Sequence, residues 1–128
     1  MKLENYHCHL QRIPSTQEDI CVLDVQGSND YKSCVKHVKV LAHFASQMDV
    51  PKFLLDCRHS PYEGSVTSQY LIAYKDLERV GYHRHWKTAL LISPEDDSHN
   101  FLELVATNAG YTLKVFRNIN KAFAWLES

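Results

Sequence analysis

The chain ends on a short β run, Leu113-Lys114-Val115-Phe116, a break at Arg117-Asn118, and a short amphipathic stretch, Ile119 to Leu126. This closes a chain in which strand-like and helix-like segments alternate four times. Strands that alternate with helices of 10–20 residues need crossover connections, so the order confines the chain to an α/β fold. A length of 128 residues suits one domain, spanning 1–128, with a core large enough to need no staples.

The segments can be placed one by one. Residues 6–13 alternate weakly and read as an exposed edge strand, stopped by Pro14. Ile20-Cys21-Val22-Leu23-Asp24-Val25-Gln26 reads as a buried strand ending at Gly27. Ser28, Asn29 or Asp30 can cap a helix over about 30–49, with Tyr31, Cys34, Val38, Leu41, Ala42, Ala45 and Met48 on one face. Pro51 enforces its exit.

Lys52 to Cys57 is the next strand, and a loop from Arg58 to Gly64 follows. A second helix over about 66–79 places Val66, Tyr70, Ala73, Tyr74 and Leu77 on one side and stops at Gly81. Trp86 to Ile92 is the fourth strand. Ser93-Pro94-Glu95-Asp96-Asp97 forms a loop and helix start, with carboxylates where the helix dipole favours them. Phe101, Leu102, Val105, Ala106 and Ala109 face inward from helix three, which ends at Gly110. Tyr111 to Phe116 is the last strand. Asn118 or Asn120 caps a final helix whose Ile119, Ala122, Phe123 and Leu126 face the core.

The expected order is β-β-α-β-α-β-α-β-α. It gives a mainly parallel five-stranded sheet with four helices and an antiparallel first strand, because a short link joins strands one and two. Tyr70, Tyr74, Trp86, Phe101, Phe116, Phe123 and Trp125 are expected in the core from their spacing.

At this point the chain resembles the SpoIIAA-like (STAS-type) domains. The residues that carry the resemblance are Phe53-Leu54-Leu55-Asp56, Thr88-Ala89-Leu90-Leu91-Ile92, Phe116-Arg117-Asn118 and Ala122-Phe123-Ala124-Trp125-Leu126, in this element order. It is most similar to the stand-alone bacterial branch grouped with CRAL-TRIO lipid-carrier domains. The resemblance implies a non-enzymatic module that docks a partner, senses a small ligand or encloses an apolar one. It also implies a modifiable serine after the third strand. Asp56 matches the Asp that opens that loop in regulated relatives. Cys57 to Ser65 match neither its usual Asp-Leu-Ser start nor its Ser-Ser-Gly end, so Ser60 and Ser65 are positional candidates for phosphorylation.

Ligands of open parallel sheets bind beyond the carboxyl ends of the strands. Four loops qualify: Gly27-Ser28-Asn29, Arg58 to Ser65, Ser93 to Asp97, and Arg117-Asn118. The second is the richest, and Arg58, His59, Ser60, Tyr62, Ser65, Ser28 and Arg117 are the candidate ligand- or partner-binding residues. A helix start beside Arg58 suits an anion; ordinary turn chemistry explains the same residues.

A catalytic or metal-dependent reading remains as the alternative. Cys57 adjoins Arg58, and a nearby cation lowers a thiol pKa. A phosphatase-type loop needs an Arg six residues after the Cys, and Glu63 stands there. His59 lies close by. His7 and His9 share one face of a strand, and His83 and His85 repeat the spacing, so either pair could hold a transition metal with a further ligand. Lys32, Lys36, Lys39 and His43 form a basic helix stripe that fits an acidic partner or simply faces solvent.

Several classes are excluded from consideration. Net charge is −1, and no aromatic platform accompanies the basic stripe, so no nucleic-acid partner is expected. The chain lacks a P-loop, GxGxxG, HExxH and a paired Cys–His zinc pattern, so neither a cofactor nor a metal is assigned. Cys8, Cys21, Cys34 and Cys57 include no CxxC. With no signal-like start, they suggest reduced thiols and a cytoplasmic setting. No apolar run reaches the ~20 residues of a membrane span. The favoured reading is a small binding or regulatory module, expected as a homodimer through a helix face.

Overall fold

The computed structural model describes residues 7–12, 18–48 and 50–128, with no side-chain placement for residues 7–10 and 48. Its strands are β1 (His7–Arg12), β2 (Asp19–Asp24), β3 (Lys52–Asp56), β4 (Lys87–Leu91) and β5 (Thr112–Phe116). They lie side by side in chain order. β1 pairs antiparallel with β2, and all other neighbours are parallel.

Four helices connect or follow them. α1 is Tyr31–Met48. α2 covers 66–79, α-helical at Val66–Leu71 and Leu77–Arg79 with a π turn at Ile72–Asp76 between. α3 is Asn100–Asn108 and α4 is Ile119–Glu127. This is the expected α/β order.

A sheet that grows in chain order with right-handed crossovers puts every crossover helix on one face. The burial shows this. Cys21, Leu23, Phe53, Leu55 and Leu90 point to one face and pack with Cys34, Val38 and Leu41 of α1, Ile72 and Leu77 of α2, and Leu102 and Val105 of α3. The alternate residues Ile20, Val22, Leu54, Ala89 and Leu91 point the other way and meet Ala122 and Leu126 of α4. The middle strands are covered on both faces, so their sequences read as unbroken apolar runs.

Local chemistry fixes the helix ends. Asp30 caps α1 by accepting from Ser33 N at 2.8 Å. Asn118 caps α4 by accepting from Lys121 N at 3.1 Å. Gly81, at φ +79°, ends α2 in the left-handed region. β5 leaves an open sheet edge, and Glu103 of α3 covers part of it by accepting from Val115 N at 2.5 Å.

Two expectations need correction. The first concerns the faces of α2. Ala73 and Leu77 are buried, but Val66, Tyr70 and Tyr74 are exposed, and Ser68, Gln69, Ile72 and Asp76 point inward. Two of the inward polar groups are satisfied by remote partners. Asp76 accepts from Tyr31 Oη at 2.6 Å, and Gln69 Oε1 accepts from Leu102 N at 3.0 Å. The π turn also shifts the phase of the helix.

The second concerns the start of α3. It begins at Asn100, so Glu95, Asp96 and Asp97 lie in the preceding loop. Asp96 Oδ1 accepts from Ser98 N at 2.8 Å, a local turn that competes with helix. Of the aromatics expected in the core, Trp86 is buried, and Phe101, Phe116, Phe123 and Trp125 are half-buried; Tyr70 and Tyr74 are the exceptions.

Candidate functional site

The loop after β3 is anchored at both ends and from below. Cys57 N donates to Leu91 O of the neighbouring strand at 2.8 Å, continuing the sheet one residue past β3. Asp56 turns back onto Arg58, accepting from Nε at 3.0 Å, Nη2 at 2.7 Å and the backbone N at 3.2 Å. Burial alone would raise the Asp56 carboxyl, but these bonds outweigh it and hold it below the ordinary carboxylate range. The fork of Arg58 is therefore already committed to a carboxylate. This weakens the reading of the loop as a site for a free anion.

Ser60 lies beneath the loop. It is 2% exposed, its hydroxyl donates to Val25 O at 3.1 Å, and its carbonyl accepts from Asn29 Nδ2 at 3.0 Å. Tyr62 is also buried; its N–H donates to Ser98 Oγ at 2.8 Å, and its hydroxyl pairs with Ser68 Oγ at 2.6 Å. Glu63 N donates to Asn29 O at 2.9 Å, and Ser28 Oγ donates to Glu63 Oε2 at 3.3 Å. Ser65 is exposed and caps α2, accepting from Ser68 N at 3.0 Å.

The structure thus brings Ser28, Arg58, His59, Ser60, Tyr62 and Ser65 into one unit and divides their roles. Ser28, Arg58, His59 and Ser65 present the surface, while Ser60 and Tyr62 hold it from inside. Arg117 stands to one side, with Nη2 donating to Asp96 O at 2.8 Å, and is linked to the unit through the 96–98 turn.

Sequence reasoning missed the supports of this unit. Asn29 is one of three cap candidates in the sequence, yet its buried amide ties the loops together. His99 is buried beside Asp96, with Nδ1 3.6 Å from Oδ2. Burial pushes the His99 imidazole down, and Asp96 only partly offsets this. Within the core between the sheet and the helices is an enclosed cavity of about 30 Å³. Asn29, Cys34, His37, Cys57 and His99 are among its lining residues. That space holds about one water molecule.

The alternative chemistry finds little support in this arrangement. Cys57 is 1% exposed, and burial pushes its thiol well up, with Cys34, Asp56 and Asp96 adding in the same direction. Burial also raises the Cys34 thiol, to about 12. Iodoacetamide should therefore modify Cys57 in the folded protein no faster than global unfolding allows. Selective labelling of Cys57 at neutral pH, read by peptide mass mapping, would restore the nucleophile reading.

His83 and His85 lie at the opposite end of the sheet, with ring centroids 5.3 Å apart. The side chains of His7 and His9 lie outside the described residues. Among the described residues, no three His, Cys, Asp or Glu side chains converge as a metal cluster. Lys32, Lys36 and Lys39 are exposed and His43 is half-buried, as a solvated stripe requires.

No protein-family model matches the chain, and no curated protein does. A solved structure does match. It is an uncharacterised protein of the DUF3478 family with a SpoIIAA-like fold, from Shewanella loihica PV-4. The TM-score is 0.59 at 15% identity, over 98% of this chain and 97% of that one. The fold is SpoIIAA-like. SpoIIAA itself, the Bacillus cell fate determinant in its phosphorylated form, matches at 13% identity and a TM-score of 0.42, over 90% of this chain and 96% of that one. In this SpoIIAA-like sheet the candidate unit occupies the carboxyl ends of β2 and β3 and the start of α2. No helix among the described residues is long and apolar enough to cross a membrane.

Proposed function

We propose that this chain is a non-enzymatic, one-domain docking module that binds a protein partner through loop 58–65 and the outer face of α2. One observation carries the reading. Val66, Tyr70 and Tyr74 are 60%, 51% and 45% exposed, and they follow one another at every fourth residue from the end of the loop. The two tyrosine rings stack at 4.6 Å with an interplanar angle of 29°. A row of large side chains facing water on a rigid helix costs solubility, and tyrosines are prominent among residues that anchor protein interfaces. The network below the loop supplies a preorganised surface, which lowers the entropic cost of association.

The small cavity favours this reading over an apolar carrier. About 30 Å³ is an order of magnitude below the ~300 Å³ at which ligand pockets begin. Of the two serines considered for modification, Ser65 is the accessible one. A phosphate there would place its charge at the edge of this face. The reading includes a cytoplasmic setting, in keeping with the buried thiols of Cys34 and Cys57, which form no disulfide.

A photo-crosslinker at position 70 should capture one defined protein in cells, whereas one at Lys121 on α4 should not. Capture of the same chain would identify the partner as a second copy and confirm the homodimer. Tyr70→Glu with Tyr74→Glu should weaken the captured complex by about a hundredfold or more, since anchor residues contribute roughly 2 kcal/mol or more each. Stability should change by only about 0.5 kcal/mol, because both side chains face water. Equal crosslinking from both positions, or a complex indifferent to the double variant, would sink the assignment.

A further inference from the structure

At the far end of the sheet from the docking face, a four-residue turn carries two imidazoles on a fixed frame. Trp86 N donates to His83 O at 3.2 Å and closes the turn. Trp86 is 8% exposed and packs edge-on against Phe53 at 5.1 Å and Tyr82 at 5.0 Å, so one corner is set in the core. Arg84 pins the opposite side. Its Nε donates to Ala109 O at 3.0 Å, its carbonyl accepts from Thr112 Oγ1 at 3.1 Å, and its guanidinium lies 4.7 Å from the centre of the Tyr111 ring.

His83 and His85, like Arg84 between them, are exposed to water. They line an open hollow of about 600 Å³ with Ala45, Ser46, Val50 and Pro51. Their ring centroids are 5.3 Å apart at 57°, and the His83 ring also rests 4.5 Å from the Trp86 ring.

A metal ion bonded to an imidazole nitrogen at about 2.0–2.1 Å sits about 3.2 Å from the ring centre. Two rings on one ion are then separated by about 4.5 Å at a right angle and about 6.4 Å in line. The observed separation of 5.3 Å falls between these limits, within the span of two rings sharing one ion. From this geometry we infer that His83 and His85 form a two-imidazole site for a late first-row dication, copper(II) before zinc. Imidazole suits these ions, and copper stands above zinc in the general order of affinities. Among the described residues no third protein ligand joins the pair. The other coordination positions fall to water and stay open to exchange. The hollow gives the hydrated ion room to enter.

Trp86 makes the site readable. Copper(II) quenches a nearby indole, and the chain has two tryptophans. In a Trp125→Phe background, Trp86 is the one remaining reporter. Titration with copper(II) chloride should quench its fluorescence saturably at one ion per chain, and EDTA should restore it. Zinc should compete more weakly. His83→Gln or His85→Gln should each weaken binding by about tenfold or more, and the double variant should abolish the saturable phase. Both side chains are exposed, so the variants should keep the circular dichroism and urea midpoint of the parent. The proposal is overturned by an absence of saturable quenching, or by a titration that the double variant leaves unchanged.

Discussion

Gly64→Ala is expected to destabilise the protein by about 2–3 kcal/mol and to disable the docking face, although it adds one methyl group. The backbone of Gly64 runs directly over the Tyr62 side chain. A Cβ there would land on Tyr62 Oη, 2.5 Å from Tyr62 Cζ and 2.7 Å from Ser68 Oγ. Tyr62 cannot simply step aside. It is 6% exposed, its hydroxyl is paired with Ser68 Oγ, and Ser68 Oγ also lies 2.7 Å from Ser65 O. Displacing the ring would break the link between the loop and the first turn of α2, from which Val66 and Tyr70 project.

The clash can be isolated with a double-mutant cycle. Tyr62→Ala removes the obstacle and carries its own cost in lost packing, about 3 kcal/mol or more. Gly64→Ala added on top of it should then cost little, giving strong non-additivity. Urea denaturation of the four proteins measures this directly. Additive losses would show that Gly64 matters for some reason other than this contact.

The parts of the fold that were legible in the sequence are those with local causes. β2 to β4 were visible because both faces of the sheet are covered, so runs such as Ile20 to Leu23 are apolar throughout. The caps at Asp30 and Asn118 bond only three residues ahead, and their residue types announce them. The failures come from partners far along the chain. Nothing near Gln69 or Asp76 shows that Leu102 N and Tyr31, 33 and 45 residues away, will draw them inward. With those faces assigned the other way, Val66, Tyr70 and Tyr74 looked like core.

The sequence points to this loop because strand ends in a parallel sheet are where ligands collect. The division of labour within it was hidden for the same reason as the faces of α2. Ser60 looks like a surface serine until Val25, 35 residues earlier, takes its hydroxyl. Asp56 looks like a free carboxylate until the loop folds Arg58 back onto it. Position along the chain shows where side chains gather; which of them remain available is decided by contacts that only the fold makes.

Acid should destabilise the protein well before its carboxylates titrate, and His37 should account for most of this. His37 is 5% exposed on α1 and lines the enclosed core cavity. Burial pushes its pKa from the ordinary 6.5 down to about 4; Asp30 opposes the shift and Lys36 adds to it. Above about pH 6.5 the ring is neutral in both folded and unfolded chains, and its full contribution is present. As the pH falls from 6.5 towards 4, the unfolded chain takes up a proton that the folded chain refuses, so stability falls across that window. The gap corresponds to roughly 3 kcal/mol as an upper figure. His99, also lowered by burial, acts in the same direction. Asp56 does not contribute here, because the stability from its lowered carboxyl is lost only at more acid pH. Urea midpoints measured from pH 7 to pH 4.5 should therefore fall steeply for the parent protein and more gently for His37→Gln, whose amide does not titrate. Parallel curves for the two proteins would rule out His37 as the source.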